Sequence, residues 1–222
     1  EACKTLFNGA LTGSVTLYAG WDNKAELSIV IPNSTPILEA GVPTGKYYYK
    51  GQSVVIPDIS THPQISAMYT VPEGYKFIGF LATAGCTTTL EHATEASGYI
   101  TGITTKVTVS NDLSKGLTIT ADIRKILTVT LTMDAQHTYL GQTKYFEITQ
   151  VIISSNSMYS TDKSNWLMSN GSGSISAGDR NGSATQKITL YLIEGTNANI
   201  TVIVDSVKIL SRKFDPPTPQ VN

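Results

Sequence analysis

The chain has 222 residues, a formal net charge of -1 and only 15% charged residues. A chain so close to neutral presents no basic field for phosphates or anionic lipid, which argues against nucleic acid as a partner. No stretch approaches the ~20 consecutive apolar residues of a transmembrane helix, so we expect no membrane span. The length accommodates one large domain or two modest ones, and we expect two.

The composition and the N-terminal segment both predict β structure. Thr, Ser, Val, Ile, Tyr and Gly are frequent, and these residues fit pleated surfaces and tight turns, so we predict an all-β, or mainly β, chain. Residues 14–21 alternate as one strand, and residues 25–31 form a second strand that ends at Pro32. Residues 1–46 are therefore predicted to be an N-terminal strand segment with a linker.

A first module is predicted over residues 47–124. Alternating apolar positions bounded by turn residues predict its strands at 47–55, 65–70, 74–82, 105–110 and 117–123. Residues 90–96 are instead predicted to make about two helical turns, with Thr88 or Thr89 as the cap.

The pattern after residue 125 predicts a second domain, over residues 125–214. Further strands are expected at 127–133, 145–153, 188–193, 200–204 and 207–210, at spacings typical of an immunoglobulin-like β-sandwich. Residues 215–222 contain three prolines, which favour an extended tail over a central strand.

A short motif in the first module resembles a known family. It consists of Gly74-Tyr75-Lys76-Phe77-Ile78-Gly79-Phe80, and the strand before it carries Tyr49 and Gly51. This pattern resembles the Listeria-Bacteroides repeat, the internalin-type B-repeat of bacterial cell-surface proteins, with Phe80 in place of the usual Trp. The resemblance covers about residues 47–123, plus an isolated closing strand at 14–21. It implies a β-grasp-like repeat module and an extracellular or cell-surface location in a bacterium.

The isolated closing strand must pair somewhere. It presents Val15, Leu17, Tyr18 and Trp21, and the unpaired backbone groups of such a strand are a template for pairing. Addition to the sheet of a neighbouring copy would satisfy those groups, and repetition of that contact would produce a filament. The alternative is pairing within the same chain, with residues 25–31.

Two further features concern cysteine and aromatic residues. Cys3 and Cys86 could form a disulfide that closes a long loop, worth about 4 kcal/mol in the chain-entropy model; the alternative is two half-buried thiols. Tyr47, Tyr49 and Trp166 could line a platform on which sugar rings stack. Consecutive tyrosines alternate between faces of a strand, so at least one of residues 47–49 must face the core or an interface. The alternative role is cross-strand aromatic pairing.

The sequence predicts no catalytic, metal or cofactor site. His62, His92 and His137 lie far apart without a neighbouring metal ligand, and we interpret them as solvated loop histidines. We therefore expect a protein that is not an enzyme and needs no cofactor. The predicted function is that of a structural or adhesive subunit of a bacterial extracellular surface assembly, which associates with itself or with other surface proteins. The alternative is a carbohydrate-binding accessory module of a secreted protein, with glycans as ligands.

Overall fold

The fold is built from strands throughout the part of the chain that can be described. The computed structural model describes residues 24–31, 42–134, 136–139, 142–177, 185–204 and 207–214. Within these ranges the chain forms strands, turns and bends, and no helix. The prediction of an all-β chain is therefore confirmed.

The N-terminal unit contains the first seven strands in chain order. They are β1 (Lys24–Val30), β2 (Val42–Tyr49), β3 (Ser53–Ile56), β4 (Tyr75–Ala84), β5 (Cys86–Thr94), β6 (Ile100–Val109) and β7 (Leu117–Met133). Strand β1 lies between β2, its antiparallel neighbour, and β7, its parallel neighbour. Strand β4 pairs antiparallel with β7. Strands β3, β6 and β5 form a separate three-stranded sheet in that order.

The remaining strands form the C-terminal unit together with the second half of β7. They are β8 (Gln136–Tyr139), β9 (Gln142–Tyr145), β10 (Ile148–Ser155), β11 (Met158–Ser160), β12 (Trp166–Met168), β13 (Gly171–Ser176), β14 (Gln186–Ile193), β15 (Ala198–Val204) and β16 (Val207–Phe214). Strand β14 pairs antiparallel with β7, and β11 and β12 extend the same sheet outward. A four-stranded sheet has the order β13, β10, β15, β16, and β8 pairs with β9.

A first core fills the N-terminal unit. Strand alternation places Leu117, Ile119 and Ala121 of β7 on one buried face. The buried members of this core are Leu27, Ile29, Ile31, Tyr48, Ile56, Ile59, Ile65, Tyr69, Phe77, Phe80, Ile103, Val107, Val109, Leu117, Ile119, Ala121, Met158, Trp166 and Ile193. The last three of these residues belong to strands of the C-terminal unit, so the two units share apolar contacts.

A second core lies between the two sheets of the C-terminal unit. Its buried members are Ile148, Val151, Ile153, Tyr159, Leu190, Leu192, Ala198, Ile200, Val202 and Val204. Val129, Leu131 and Met133 of β7 pack against it. The same strand therefore contributes side chains to both cores.

Strand β7 passes without interruption from one unit into the other. The carbonyl of Lys125 accepts a hydrogen bond from the Glu194 N–H, while the N–H of Ile126 donates to the Gly74 carbonyl. Neighbouring residues of a strand point their backbone groups to opposite edges, so β14 and β4 lie on opposite sides of β7. The predicted division between residues 124 and 125 falls inside this strand; the division itself stays a prediction.

Two predicted elements of the first module are wrong. Residues 90–96 do not form a helix, because β5 pairs with β6 from Cys86 opposite Val109 to Thr94 opposite Ile100. Helix propensity is a weak preference that such tertiary pairing overrides. Residues 65–70 do not form a strand: the N–H of Tyr69 donates to the Ile65 carbonyl, and that of Ser66 to the His62 carbonyl. These helical-type turns place Ile65 and Tyr69 over the first core.

The histidine at the start of these turns is buried, contrary to the solvated role predicted for it. His62 accepts hydrogen bonds at Nδ1 from the backbone N–H groups of Gln64, at 3.3 Å, and Ile65, at 3.4 Å. Because a protonated Nδ1 would lose both bonds, the ring is needed in its neutral form. Burial lowers the pKa of His62.

We expect the protein to lose stability when the pH falls through about 6.5, the ordinary pKa of histidine. The unfolded chain binds a proton at His62 more readily than the folded chain, so the free energy of unfolding is greatest above that pH and decreases below it. Urea denaturation at about pH 8 and about pH 5 checks this. The variant His62→Asn, which retains an acceptor without titrating, should show a smaller decrease. An equal decrease in the variant would contradict the role given to His62.

Candidate functional site

The predicted assembly strand at residues 14–21 lies outside the described residues, but its predicted partner within the chain is described. That partner is β1, and β1 has strands on both sides. Ser28 and Ile29 pair with residues 43 and 42 of β2, and with Thr118 and Ile119 of β7. Both edges of β1 are therefore occupied at Ser28 and Ile29, and the pairing of residues 14–21 with residues 25–31 stays a prediction.

The three consecutive tyrosines alternate between faces as predicted. Tyr48 is 7% exposed and belongs to the first core, whereas Tyr47 is 57% and Tyr49 39% exposed. Strand β2 is the outer strand of its sheet among the described residues. The ammonium group of Lys24 lies 4.7 Å from the centre of the Tyr47 ring. The Lys24 side chain therefore covers part of that ring.

Trp166 is not part of a solvent-facing platform with these tyrosines. It is only 2% exposed and belongs to the first core. Its indole N–H donates to the Lys163 carbonyl at 2.8 Å, and the ammonium group of Lys76 lies 5.0 Å from the ring centre. The predicted platform is therefore wrong for Trp166, because this ring is buried where the two units pack together.

Cys86 is half-buried at the start of β5 and forms no disulfide with any residue that the structure describes. Its Sγ–H donates to the Thr118 carbonyl at 3.6 Å, and burial raises the pKa of the thiol. Cys3 lies outside the described residues, so a bond between Cys3 and Cys86 stays a prediction.

A cleft lies where the two units meet, and we call it the junction cleft. Its volume is about 360 Å³. Strands β4, β5 and β7 supply one wall, and β11, β12, β14 and their adjoining loops supply the other. The lining residues are Ile78, Leu90, His92, Arg124, Asn156, Met158, Met168, Ile193, Gly195, Thr196 and Asn197.

Arg124 is the cation of this cleft, and Asp122 holds it in place. The Asp122 carboxylate accepts hydrogen bonds from Arg124 Nε at 2.8 and 3.0 Å and from Nη2 at 2.6 Å. These hydrogen bonds raise the pKa of Arg124. The third nitrogen, Nη1, lies next to Gly195: a β-carbon added there would be 3.2 Å from it. Asp122 thus fixes the guanidinium and leaves Nη1 beside the opposite wall.

His92 lines the cleft on the same wall as Arg124, and the charge of Lys76 acts on it. The Nε2 atom of His92 is buried without a hydrogen-bond partner among the described residues. Burial, together with the charge of Lys76, lowers the pKa of His92. Burial also lowers the pKa of Lys76, and the charge of Asp58 partly offsets this decrease. His92 is therefore neutral at pH 7 and lies on a strand, not in the solvated loop predicted for it.

The sequence contained part of the signal for this cleft. Leu90 and His92 are two residues apart on β5, as Asp122 and Arg124 are on β7, so each pair shares a strand face. Because residues 90–96 were predicted to be helical, Leu90 and His92 were not expected to share a face. The facing residues 156–158 and 193–197 come from the other unit, and local periodicity contains no information on that contact.

Comparison with family models, with curated proteins and with solved structures finds no match to this chain. The resemblance to the Listeria-Bacteroides repeat accordingly stays a prediction. In the described part of the chain, no helix has the length and apolar character needed to cross a membrane. The same part contains no group of three or more His, Cys, Asp or Glu side chains able to hold a metal ion.

Proposed function

We propose that the chain is a structural or adhesive subunit of a bacterial extracellular surface assembly, in which residues 14–21 add as a strand to the sheet of a neighbouring copy. The observation that supports this most is the occupation of both sides of β1 by β2 and β7. The strand nearest in sequence to residues 14–21 cannot accept them along 28–29. A strand with an apolar face then has to find another sheet edge.

Strand β2 is a suitable recipient edge. It has eight residues, the length of the 14–21 segment, and it is the outer strand of its sheet among the described residues. Strand addition is a recurrent mode of protein association, in which backbone hydrogen bonds provide affinity and alternate side chains provide specificity. The outward-facing Tyr47 and Tyr49 would then contact the added strand or the next subunit.

The course of β7 also supports a structural role. One strand of 17 residues carries backbone hydrogen bonds into both units, and Met158, Trp166 and Ile193 pack in the first core from the C-terminal unit. Units joined in this way resist bending at their junction more than units joined by a flexible linker would. A stalk or filament subunit benefits from that stiffness.

We expect the full chain to form oligomers or filaments, and a variant lacking residues 1–22 to be a monomer. Light scattering after size exclusion and electron microscopy measure both states. Leu17→Asp should also prevent assembly, because it places a charge on the apolar face of the strand. The matched control Thr12→Asp, outside the strand, should assemble as the full chain does. A full chain that stays monomeric at all accessible concentrations would overturn the proposal.

The alternative function, binding of glycans, is favoured by one observation only. Tyr47 and Tyr49 are exposed on the same face of an outer strand. Burial of Trp166 removes the third ring of the predicted platform, and Lys24 covers part of Tyr47. Binding to a glycan array that is lost in Tyr49→Ala would favour this alternative over assembly.

A further inference from the structure

The junction cleft has the dimensions of a small-molecule site, and the assembly proposed above makes no use of it. Its volume of about 360 Å³ lies in the range found for ligand pockets, which concentrate where units of a fold meet. Residues from both units form its walls. A ligand bound there would contact both units at once.

One part of the lining is apolar and adaptable. It consists of Ile78, Leu90, Met158, Met168 and Ile193. Leu90 is partly exposed, whereas Met158 and Ile193 are buried in the first core. Methionine side chains are unbranched and flexible, so they adjust to ligands of different shape. These residues would accommodate an apolar or aromatic group.

The other part of the lining offers hydrogen-bonding groups that the described residues leave unused. Arg124 Nη1 has no acceptor in this part of the chain, since Asp122 engages only Nε and Nη2. The buried Nε2 of His92 also lacks a partner there. The side chains of Asn156, Thr196 and Asn197 lie in the same lining. An unpaired buried polar atom is unfavourable, so a ligand that pairs with it gains affinity.

The charges around Arg124 decide which group would bind it. Asp122 neutralises the guanidinium on one side, and the charges of Glu194 and Asp58 act on Arg124 and Lys76. A strongly charged anion such as a phosphate is therefore disfavoured. A carboxylate carries a single charge and matches the planar geometry of a guanidinium, with which it forms charge-assisted hydrogen bonds.

We propose that the junction cleft binds a small carboxylate with an apolar or aromatic body. The carboxylate accepts hydrogen bonds from Arg124 Nη1, while the body packs on Leu90 and the two methionines. Asp122 acts as the positioning residue, because it holds the guanidinium without occupying Nη1.

The experiment uses the full chain and two pairs of probes. Each pair consists of an acid and its neutral amide: 4-phenylbutyrate with 4-phenylbutanamide, and indole-3-propionate with indole-3-propionamide. In an NMR titration we expect both acids to shift the backbone amide signals of Gly195 and Thr196. We expect each amide to bind at least about tenfold more weakly than its acid, because the amide cannot form the charge-assisted hydrogen bond to Arg124.

Two matched variants locate the binding. Asn197→Trp places a large side chain at an exposed cleft position, and we expect it to abolish the shifts by filling the space. Asn111→Trp makes the same change at an exposed loop position outside the cleft lining and should bind as the parent chain does. The amide spectrum of each variant shows whether it is folded. Equal affinity for acid and amide, shifts that map elsewhere, or binding that persists in Asn197→Trp would each overturn the proposal, as would absence of binding by both acids.

Discussion

Replacing Phe80 with alanine is expected to lower the free energy of unfolding by about 3–5 kcal/mol. The Phe80 side chain is completely buried in the first core. Its ring meets that of Phe77 edge to face, with centres 5.0 Å apart and planes at 65°. The substitution removes this aromatic contact and leaves a cavity that a close-packed core fills only in part. Urea denaturation measures the change.

Two further variants sharpen the interpretation of this result. Leu81 is the next residue on β4 and is 47% exposed, so Leu81→Ala should cost under about 1 kcal/mol. Phe80→Trp introduces the residue that the Listeria-Bacteroides repeat usually carries at this position. Because a buried site rarely accommodates a larger ring without rearrangement, we expect a loss of about 1–3 kcal/mol. A loss on Phe80→Ala no greater than that on Leu81→Ala would contradict the position of Phe80 in the core.

Replacing Gly85 with alanine is expected to cost about 3 kcal/mol, from two additive causes. Gly85 joins β4 to β5 with φ +65°, a left-handed conformation that costs other residues about 1–2 kcal/mol. An added β-carbon would also overlap the carbonyl oxygen of Gly116. That oxygen is a backbone atom just before β7, so it cannot move aside without shifting the strand, at a further cost of about 1–3 kcal/mol.

A matched glycine separates these two causes. Gly51 has φ +74°, and a β-carbon added there would meet no atom within 4 Å. Gly51→Ala should therefore show the conformational cost alone, about 1–2 kcal/mol. The difference between the two variants in thermal or urea denaturation is the steric contribution at Gly85. Equal losses would show that the backbone at Gly116 yields to the new methyl group.

Local pattern was sufficient for the strands that alternate in sequence and bury one face. Residues 25–31 and 74–82 were predicted as strands and correspond to β1 (Lys24–Val30) and β4 (Tyr75–Ala84). The same pattern failed at 90–96, where a run with Leu, Glu and Ala resembles a helix but pairs with β6. The secondary structure of such ambiguous segments depends on pairing partners that are distant in sequence. Local periodicity carries no information about those partners.

The continuity of β7 was the least predictable part of the fold. Two strands were predicted, at 117–123 and 127–133, in separate domains; the charged residues Arg124 and Lys125, which interrupt the apolar alternation, lie between them. In the structure the Asp122 carboxylate forms an ion pair with Arg124 on the same strand face. The two charged residues therefore do not end the strand. The junction cleft follows from this continuity, since Arg124 lies where β4 begins and β14 ends.

The parallel pairing of β1 with β7 has a consequence for how the chain folds. Leu27 lies beside Leu117 and Val30 beside Thr120, so β1 cannot complete its sheet until the rest of the N-terminal unit has been synthesised. Contacts between such distant segments slow folding, because the intervening loop must close before the contact stabilises anything. During translation, β1 therefore keeps one edge of unpaired backbone N–H and C=O groups beside its exposed apolar face, and in this interval the nascent chain is prone to aggregate or to recruit a chaperone.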